Sequence, residues 1–449
     1  MELPTARSVR AMEPSRAKAL FATYDHVPGP SGSACWSVEV IRALSRRFDL
    51  DGLSLKSEDL SHIERFHKAR LLRVPVGSGR FRERIKAFRR ALHRQLGSED
   101  YQLAHFTSIW EGMELCSQKK SHHYKLVYEV HRLPSIDFRL SNPEDAQDIE
   151  TSLSLKQQEE RCFALADLLI AGSPLVARHL ERRGVGADKI RVITPSVDLA
   201  PFARVGPPGG TLGTILYLGS IKPWQGVELL LHALAGLPRH IRTRLLLVAP
   251  REQPWDRELR ELVQHLGLTR SVEFLDPVPF EDLPALISQA SICVAPLSNH
   301  ERNRIVAPVP HKVLVYMAAR RAVVAPQQPA LRDLVEHGVH GLLYPPSDVA
   351  GLAEALMQLL LDRELCTRLG NQARAHLEEH HGLARAVDRL EAAWASLCGP
   401  LAACQEEQVA PPDTAEALVE AAGAEPGRDP AARFAADTAP VPLRPGAVP

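Results

Sequence analysis

Four short segments carry residues whose types and spacing could do chemistry. The first is Asp25–Ser37, DHVPGPSGSACWS, in which Gly29 and Gly32 lead into a helical pattern. A glycine-bearing loop ahead of a helix lets backbone N–H groups approach a phosphate or a sugar, and the positive helix end adds attraction. A plain tight turn would use the same glycines. The second is Leu126–Ser135, LVYEVHRLPS, an apolar strand pattern that ends at His131 and breaks at Pro134. An imidazole at the carboxyl end of a central parallel strand points into a crevice, where it could meet a hydroxyl or a phosphate. A structural histidine is the ordinary alternative. In the third, Ile215–Leu237, a buried strand delivers Gly219 and Ser220, and Lys222 precedes a helix opening near Gly226. An ammonium beside a helix N-terminus suits a diphosphate. The fourth is Val306–Pro326, VAPVPHKVLVYMAARRAVVAP, where Lys312 falls in the first turn of a short helix and Val315 close behind it.

The elements that must hold these segments alternate between apolar β-rich runs and helical patterns, the mark of parallel α/β units. In the first half strands are expected at Ala19–Thr23, Gly52–Leu55, Leu71–Val74, Gln102–Phe106, Leu126–Val130, Leu168–Ala171 and Ile190–Ile193. Helices are expected at Cys35–Arg46, Arg80–Leu96 and Leu175–Arg183. Arg204–Gly213, RVGPPGGTLG, is too rich in glycine and proline to pack as an element and reads as an interdomain linker. The pattern then restarts, with strands expected at Thr214–Leu218, Arg244–Val248, Ser271–Leu275, Ile292–Ala295, Ala322–Ala325 and Gly341–Leu343. Two open parallel sheets place ligands at the carboxyl ends of their strands, so the cleft between the halves is the expected site.

Domain organisation follows from these shifts in pattern. A disordered lead over 1–17, a first domain over 18–203, the linker 204–213 and a second domain over 214–383 are expected, followed by a packed helix over 384–398. Residues 401–449 hold eight acids, three arginines, eight prolines and one aromatic, a composition that reads as a disordered tail over 399–449.

Lys+Arg and Asp+Glu are each 54, which excludes a globally basic nucleic-acid binder. Seven scattered cysteines without a C-x-x-C argue for reduced thiols in a cytoplasmic compartment, against a disulfide framework or zinc site. No run reaches the roughly 18 apolar residues of a spanning helix.

With those four segments in this order, the chain resembles the retaining glycosyltransferases of family 4. GSIKPWQGV resembles the family's GSxKPWHGV, and VPHKVLVYMAARRAVVA resembles SPLKLxEYMAAGRPVVA; YEVHRLPS and the turn Pro195–Asp198 also match. The resemblance runs from about residue 18 to 397 and implies the GT-B fold, an α/β architecture of two Rossmann-like domains with parallel sheets facing a central cleft, with the helix over 384–398 returning to the first domain. It implies a nucleoside-diphosphate sugar held mainly by the second domain and a glycan or lipid-linked acceptor held by the first. His131 and Lys222 would be the catalytic pair, one at the transferred sugar and the other at the leaving diphosphate. Gly29, Gly32, Gly219, Ser220, Lys312 and the position of Val315 would complete the donor site. No metal or other cofactor is implied, and transfer with retention would serve a surface polysaccharide or glycolipid.

The departures from that pattern are specific. Val315 stands where the family places a glutamate on the donor's ribose, and Ala307 where it places an earlier one. Arg320 replaces a usual glycine, and Gln225 a residue that is usually basic or histidine. A catalytically silent GT-B protein, acting as a binding or scaffold partner, is therefore the alternative; a sugar-nucleotide epimerase would need cleft carboxylates that the segments do not supply.

Three further features are weighed. His376–His380, HLEEH, fits a zinc-protease pattern but lies in a charged surface-type helix, and Asp49–Asp51 reads as a solvated turn before a strand. Over Arg80–Leu96, Phe81, Ile85, Phe88, Leu92 and Leu96 share one face, with six arginines and Lys86 around them. Either this is a packed helix with a basic outer face, or it touches an anionic membrane surface from the cytoplasmic side.

Overall fold

The computed structural model describes residues 16–141, 149–208, 213–251, 254–305 and 309–399. The expected lead, apart from residues 16 and 17, and the expected tail, apart from Gly399, lie outside these residues, as do 209–212 of the linker and Ala307. Both sheets belong to one compact unit that ends at Ala402.

The first sheet holds β1 (Lys18–His26), β2 (Asp49–Leu55), β3 (Ile63–Phe66), β4 (Ala69–Val74), β5 (Leu103–Phe106), β6 (Lys125–Val130), β7 (Leu168–Ala171) and β8 (Ile190–Val192). Their order is β3-β4-β2-β1-β5-β6-β7-β8, parallel except where β3 pairs with β4. The second sheet holds β9 (Thr214–Leu218), β10 (Arg244–Val248), β11 (Val272–Leu275), β12 (Ile292–Val294), β13 (Ala322–Pro326) and β14 (Gly341–Tyr344). Its order is β11-β10-β9-β12-β13-β14, parallel throughout. This is the GT-B architecture: two parallel α/β halves, each with helices on both faces.

Runs such as ALFA in β1 and ILYL in β9 are buried on both faces because helices cover both sides. One face of the first sheet packs Phe88 and Leu92 of helix Phe81–Ser98 against Leu20, Phe106 and Tyr128. The other packs Trp36 and Ile41 of helix Gly32–Arg47 against Phe21 and Val127, together with Leu390 and Trp394. Those last two belong to helix Leu383–Cys398, the final described element, which crosses back onto the first sheet. The Val197 to Gly382 bridge and the Ser196 hydroxyl donating to the His381 carbonyl fix where it starts. The Arg47 guanidinium clamps Glu391, with Nε 3.1 Å from the carboxylate. Trp394 is fully buried, and truncating such a side chain costs about 3–5 kcal/mol.

Two local features depart from the sequence reading. β3 is an added antiparallel edge, held by the buried Arg73 guanidinium, which bonds Glu64 at 2.6 Å and also donates to the Val27 carbonyl at 3.0 Å. Asp49–Asp51 is not a solvated turn but the start of β2. The Asp51 carboxylate is buried and accepts from Arg70 at 2.7 and 2.9 Å and from the Tyr101 hydroxyl at 2.6 Å. A buried carboxylate needs such partners, and all of them come from outside the segment. Among the described residues no helix is long and apolar enough to cross a membrane.

Candidate active site

In the first domain Asp25 is the last residue but one of β1, and its carboxylate accepts from the hydroxyls of Ser31 at 2.9 Å and Ser33 at 2.5 Å. Ser31 caps the following helix by accepting from the Ala34 N–H at 3.0 Å. The two glycines of this loop make room for protein rather than for open space. A Cβ on Gly29 would lie 2.5 Å from the His26 carbonyl oxygen. On Gly32 it would lie 2.6 Å from the Cβ of His311, the first residue of helix His311–Ala318 in the second domain. Gly32 is therefore one point where the two halves touch.

His131 follows β6 directly. Its side chain is 13% exposed, and its Nε2 lies 3.2 Å from Oε1 of Glu129. Glu129 is buried, accepts from the Trp36 indole N–H, and stands 3.0 Å from His105 Nε2. Burial alone would raise this carboxyl, but the imidazoles of His131 and His105 outweigh it and hold the group well below the usual carboxylate range.

In the second domain β9 delivers Gly219, with φ +127°, where a Cβ would meet Lys312 Nζ at 2.9 Å. The chain continues through Ser220, whose carbonyl accepts from the Tyr217 hydroxyl, and a short 3-10 turn Pro223–Gln225. At Gly226 the backbone is left-handed, and a Cβ would lie 2.0 Å from the Pro296 carbonyl oxygen, so only glycine fits before helix Val227–Ala235. Lys312 donates to the Gln225 side chain at 2.8 Å and lies 4.1 Å above the Tyr217 ring. Burial, with repulsion from Arg302, pushes its ammonium down to about 7. Lys222 lies 5.6 Å from the Trp224 ring and 5.7 Å from that of Trp255.

Gly219, Ser220, Gln225 and Lys312 thus form one cluster at the carboxyl end of β9. Val315 does not face it. That side chain is 1% exposed within an apolar cluster that includes Leu314, Met317 and Leu331. His311, rather than Lys312, opens the helix, so Val315 falls in the second turn on the face turned to the core.

Two residues that the sequence reading did not select join the site. Arg302 lies 5.4 Å from the Trp224 ring and 3.6 Å from the Asp137 carboxylate of the first domain, an ion pair between the halves. Glu129 had a legible signal, since a glutamate inside an apolar strand must find buried partners; Arg302 had none, because its neighbours are distant in sequence.

The HLEEH histidines pack on other rings. His376 lies 4.1 Å from His340, 4.7 Å from His380 and 5.4 Å from His381. Among the described residues no three metal-ligating side chains converge as a metal site. A concavity of about 950 Å³ opens near Lys18, Asp49, Lys68 and Tyr101. It lies at the amino ends of β1, β2 and β5, opposite the end where open parallel sheets hold ligands.

Residues 31–201 match the family model "Glycosyltransferase Family 4", and residues 213–362 match "Glycosyl transferases group 1". A D-inositol 3-phosphate glycosyltransferase from Geodermatophilus obscurus is 32% identical over 271 residues, which covers 56% of this chain and 57% of that protein. An alpha-D-kanosaminyltransferase from Streptomyces kanamyceticus is 31% identical over 176 residues, 39% of this chain and 44% of that protein. The chain spans about half the length of the curated relatives it matches. Among solved structures, a sucrose-phosphate synthase from Thermosynechococcus elongatus superposes with TM-score 0.71 at 22% identity, over 85% of this chain and 99% of that one. HepE from Anabaena, solved with UDP-glucose, superposes with TM-score 0.65 at 19% identity, over 84% of this chain and 99% of that one.

Proposed function

We propose that this chain, which carries the family 4 and group 1 glycosyltransferase domains on a GT-B fold, transfers a sugar from a nucleoside-diphosphate sugar to a glycan or lipid-linked acceptor. The observation that carries this reading is the cluster at the carboxyl end of β9. A glycine turn, a helix start and Lys312 meet there, with Lys222 and Arg302 on the adjoining Trp224. Positive groups fixed where a diphosphate leaves stabilise its developing charge without reorganisation during the reaction. Lys222 and Lys312 take the diphosphate, Gly219 and Ser220 pass beneath it, and His131 meets the transferred sugar from the opposite wall. The Gly29–Gly32 loop borders both ligands. Retention of configuration follows if a diphosphate oxygen assists the incoming acceptor on the same face, and no metal is required for that chemistry. UDP-glucose in the HepE structure is a donor of the proposed kind.

The acceptor reading draws on the first domain. Arg82, Lys86, Arg90 and Arg94 are exposed at successive four-residue steps of helix Phe81–Ser98, a stripe suited to an anionic membrane surface and a lipid-linked acceptor at its inner face. Arg89 is not part of it, because it donates to the carbonyls of Trp110 and Ile109 at 2.6 and 3.2 Å. Assembly of a surface polysaccharide or glycolipid fits such an acceptor.

The buried Val315 favours one second reading: without a carboxylate for the ribose, the fold serves as a catalytically silent binding partner. Turnover separates the two. With UDP-, GDP-, ADP- and dTDP-sugars supplied to the full chain, one donor is consumed, and Lys222→Ala lowers kcat/KM roughly a hundredfold, as loss of one electrostatic donor does, with the melting temperature unchanged. Wild-type kcat/KM in the variant would remove Lys222 from the leaving-group site.

A further inference from the structure

Glu129, one residue before the end of β6, is a buried carboxylate whose neighbours are an indole and two imidazoles. Trp36, on helix Gly32–Arg47, donates to Oε1. His105, on β5, reaches Oε2 with Nε2 at 3.0 Å, and His131 brings Nε2 to within 3.2 Å of Oε1. Behind His105, the indole N–H of Trp394 donates to Nδ1 at 3.2 Å. An imidazole that accepts at Nδ1 carries its hydrogen at Nε2, so the direction of donation is fixed from Trp394 to His105 to Glu129. Two N–H groups then reach the two oxygens of one carboxylate, and the His131 ring stands beside it with Nε2 3.2 Å from Oε1 but out of line for a hydrogen bond. An amide of the same shape cannot replace it, because its NH₂ end would face a donor.

We propose that Glu129 is a positioning residue for His131, and that the returning helix holds it in place through Trp394 and His105. The carboxylate faces the Nε2 edge of His131 at 3.2 Å and draws the ring hydrogen to that side, which leaves Nδ1 as the edge that can accept from a sugar hydroxyl. The last described helix thereby does more than cover the first sheet: its tryptophan sets the tautomer of a histidine that sets the carboxylate beside the ligand. This rests on the proposed transferase reading only in its last step, where His131 meets the sugar.

Ring-nitrogen NMR of the histidines in the full chain tests the proposal on wild type, Glu129→Gln and Trp394→Phe. In the wild type, His105 and His131 both show the Nε2–H tautomer. In Glu129→Gln the His131 signals move, and kcat falls by about 10–100-fold, the range known for carboxylates that orient metal-bound histidines, while donor KM changes little; Glu129→Asp restores part of the loss. Trp394→Phe keeps the ring packing, frees Nδ1 of His105 and shifts its tautomer, a result that does not depend on Glu129→Gln folding. An Nδ1–H tautomer at His131 in the wild type, or unmoved His131 signals in folded Glu129→Gln, overturns the proposal. Shifted signals in variants of a protein that turns over no nucleotide sugar would instead uphold the positioning role and sink the transferase reading.

Discussion

Lys312 has two neighbours that matter, a glutamine oxygen and an aromatic face, and neither offsets the cost of burial. Its ammonium is depressed to about 7 from an ordinary 10.5. Between those values the unfolded chain binds more protons than the folded one, so this lysine's penalty is full below about pH 7 and shrinks as pH rises toward 10.5. A diphosphate reverses the local field. Binding above pH 7 is therefore expected to take up a proton, read as a calorimetric enthalpy that varies with the ionisation enthalpy of the buffer. Lys312→Met should abolish that dependence, and a buffer-independent enthalpy in the wild type would place Lys312 outside the diphosphate's field. Val315 behaves differently. Seated in the apolar cluster, a glutamate there would be an unpaired buried charge. Val315→Glu is expected to lose about 3 kcal/mol or more of stability without gaining nucleoside-diphosphate affinity; tighter binding at unchanged stability would show that the position faces the cleft after all.

At the scale of elements, strands covered on both faces were the most legible. The runs at Leu168–Ala171, Thr214–Leu218 and Arg244–Val248 coincide with β7, β9 and β10, because a parallel strand buried on both faces is a continuous apolar run. β3 was not legible: IERF alternates charge with apolar groups and pairs antiparallel at an edge, so nothing in its own residues demands burial. Helix Ile109–His122 was missed because its buried positions are few and its end is charged; the capping box at Ser108 and Glu111 was the available signal. The site was legible where glycines and cations cluster in sequence, at Gly219–Gly226, and illegible where it depends on Arg302, Asp137 and Trp394, which meet only through the fold. Helix Phe81–Ser98 carries its own prediction. Reversing Arg82, Lys86 and Arg90 to glutamate should weaken pelleting with anionic vesicles, each basic residue being worth about 1 kcal/mol, and added salt should weaken the wild type likewise. Vesicle binding by the wild type that is absent at low salt would leave only a packed helix with a basic outer face.

Across the whole molecule, contacts that join the two halves include Gly32 against His311, Asp137 with Arg302, and the helix that returns from the second sheet to the first. The first two join segments of the first domain to residues next to Lys312 and Trp224. On the proposed reading a nucleoside diphosphate enters between the halves. Calorimetry on the full chain with UDP-, GDP-, ADP- and dTDP-sugars measures this directly. At least one should bind saturably, with affinity weakened in Lys222→Ala and in Lys312→Met; folded wild-type protein that binds none of them would contradict a nucleotide-sugar site in this cleft.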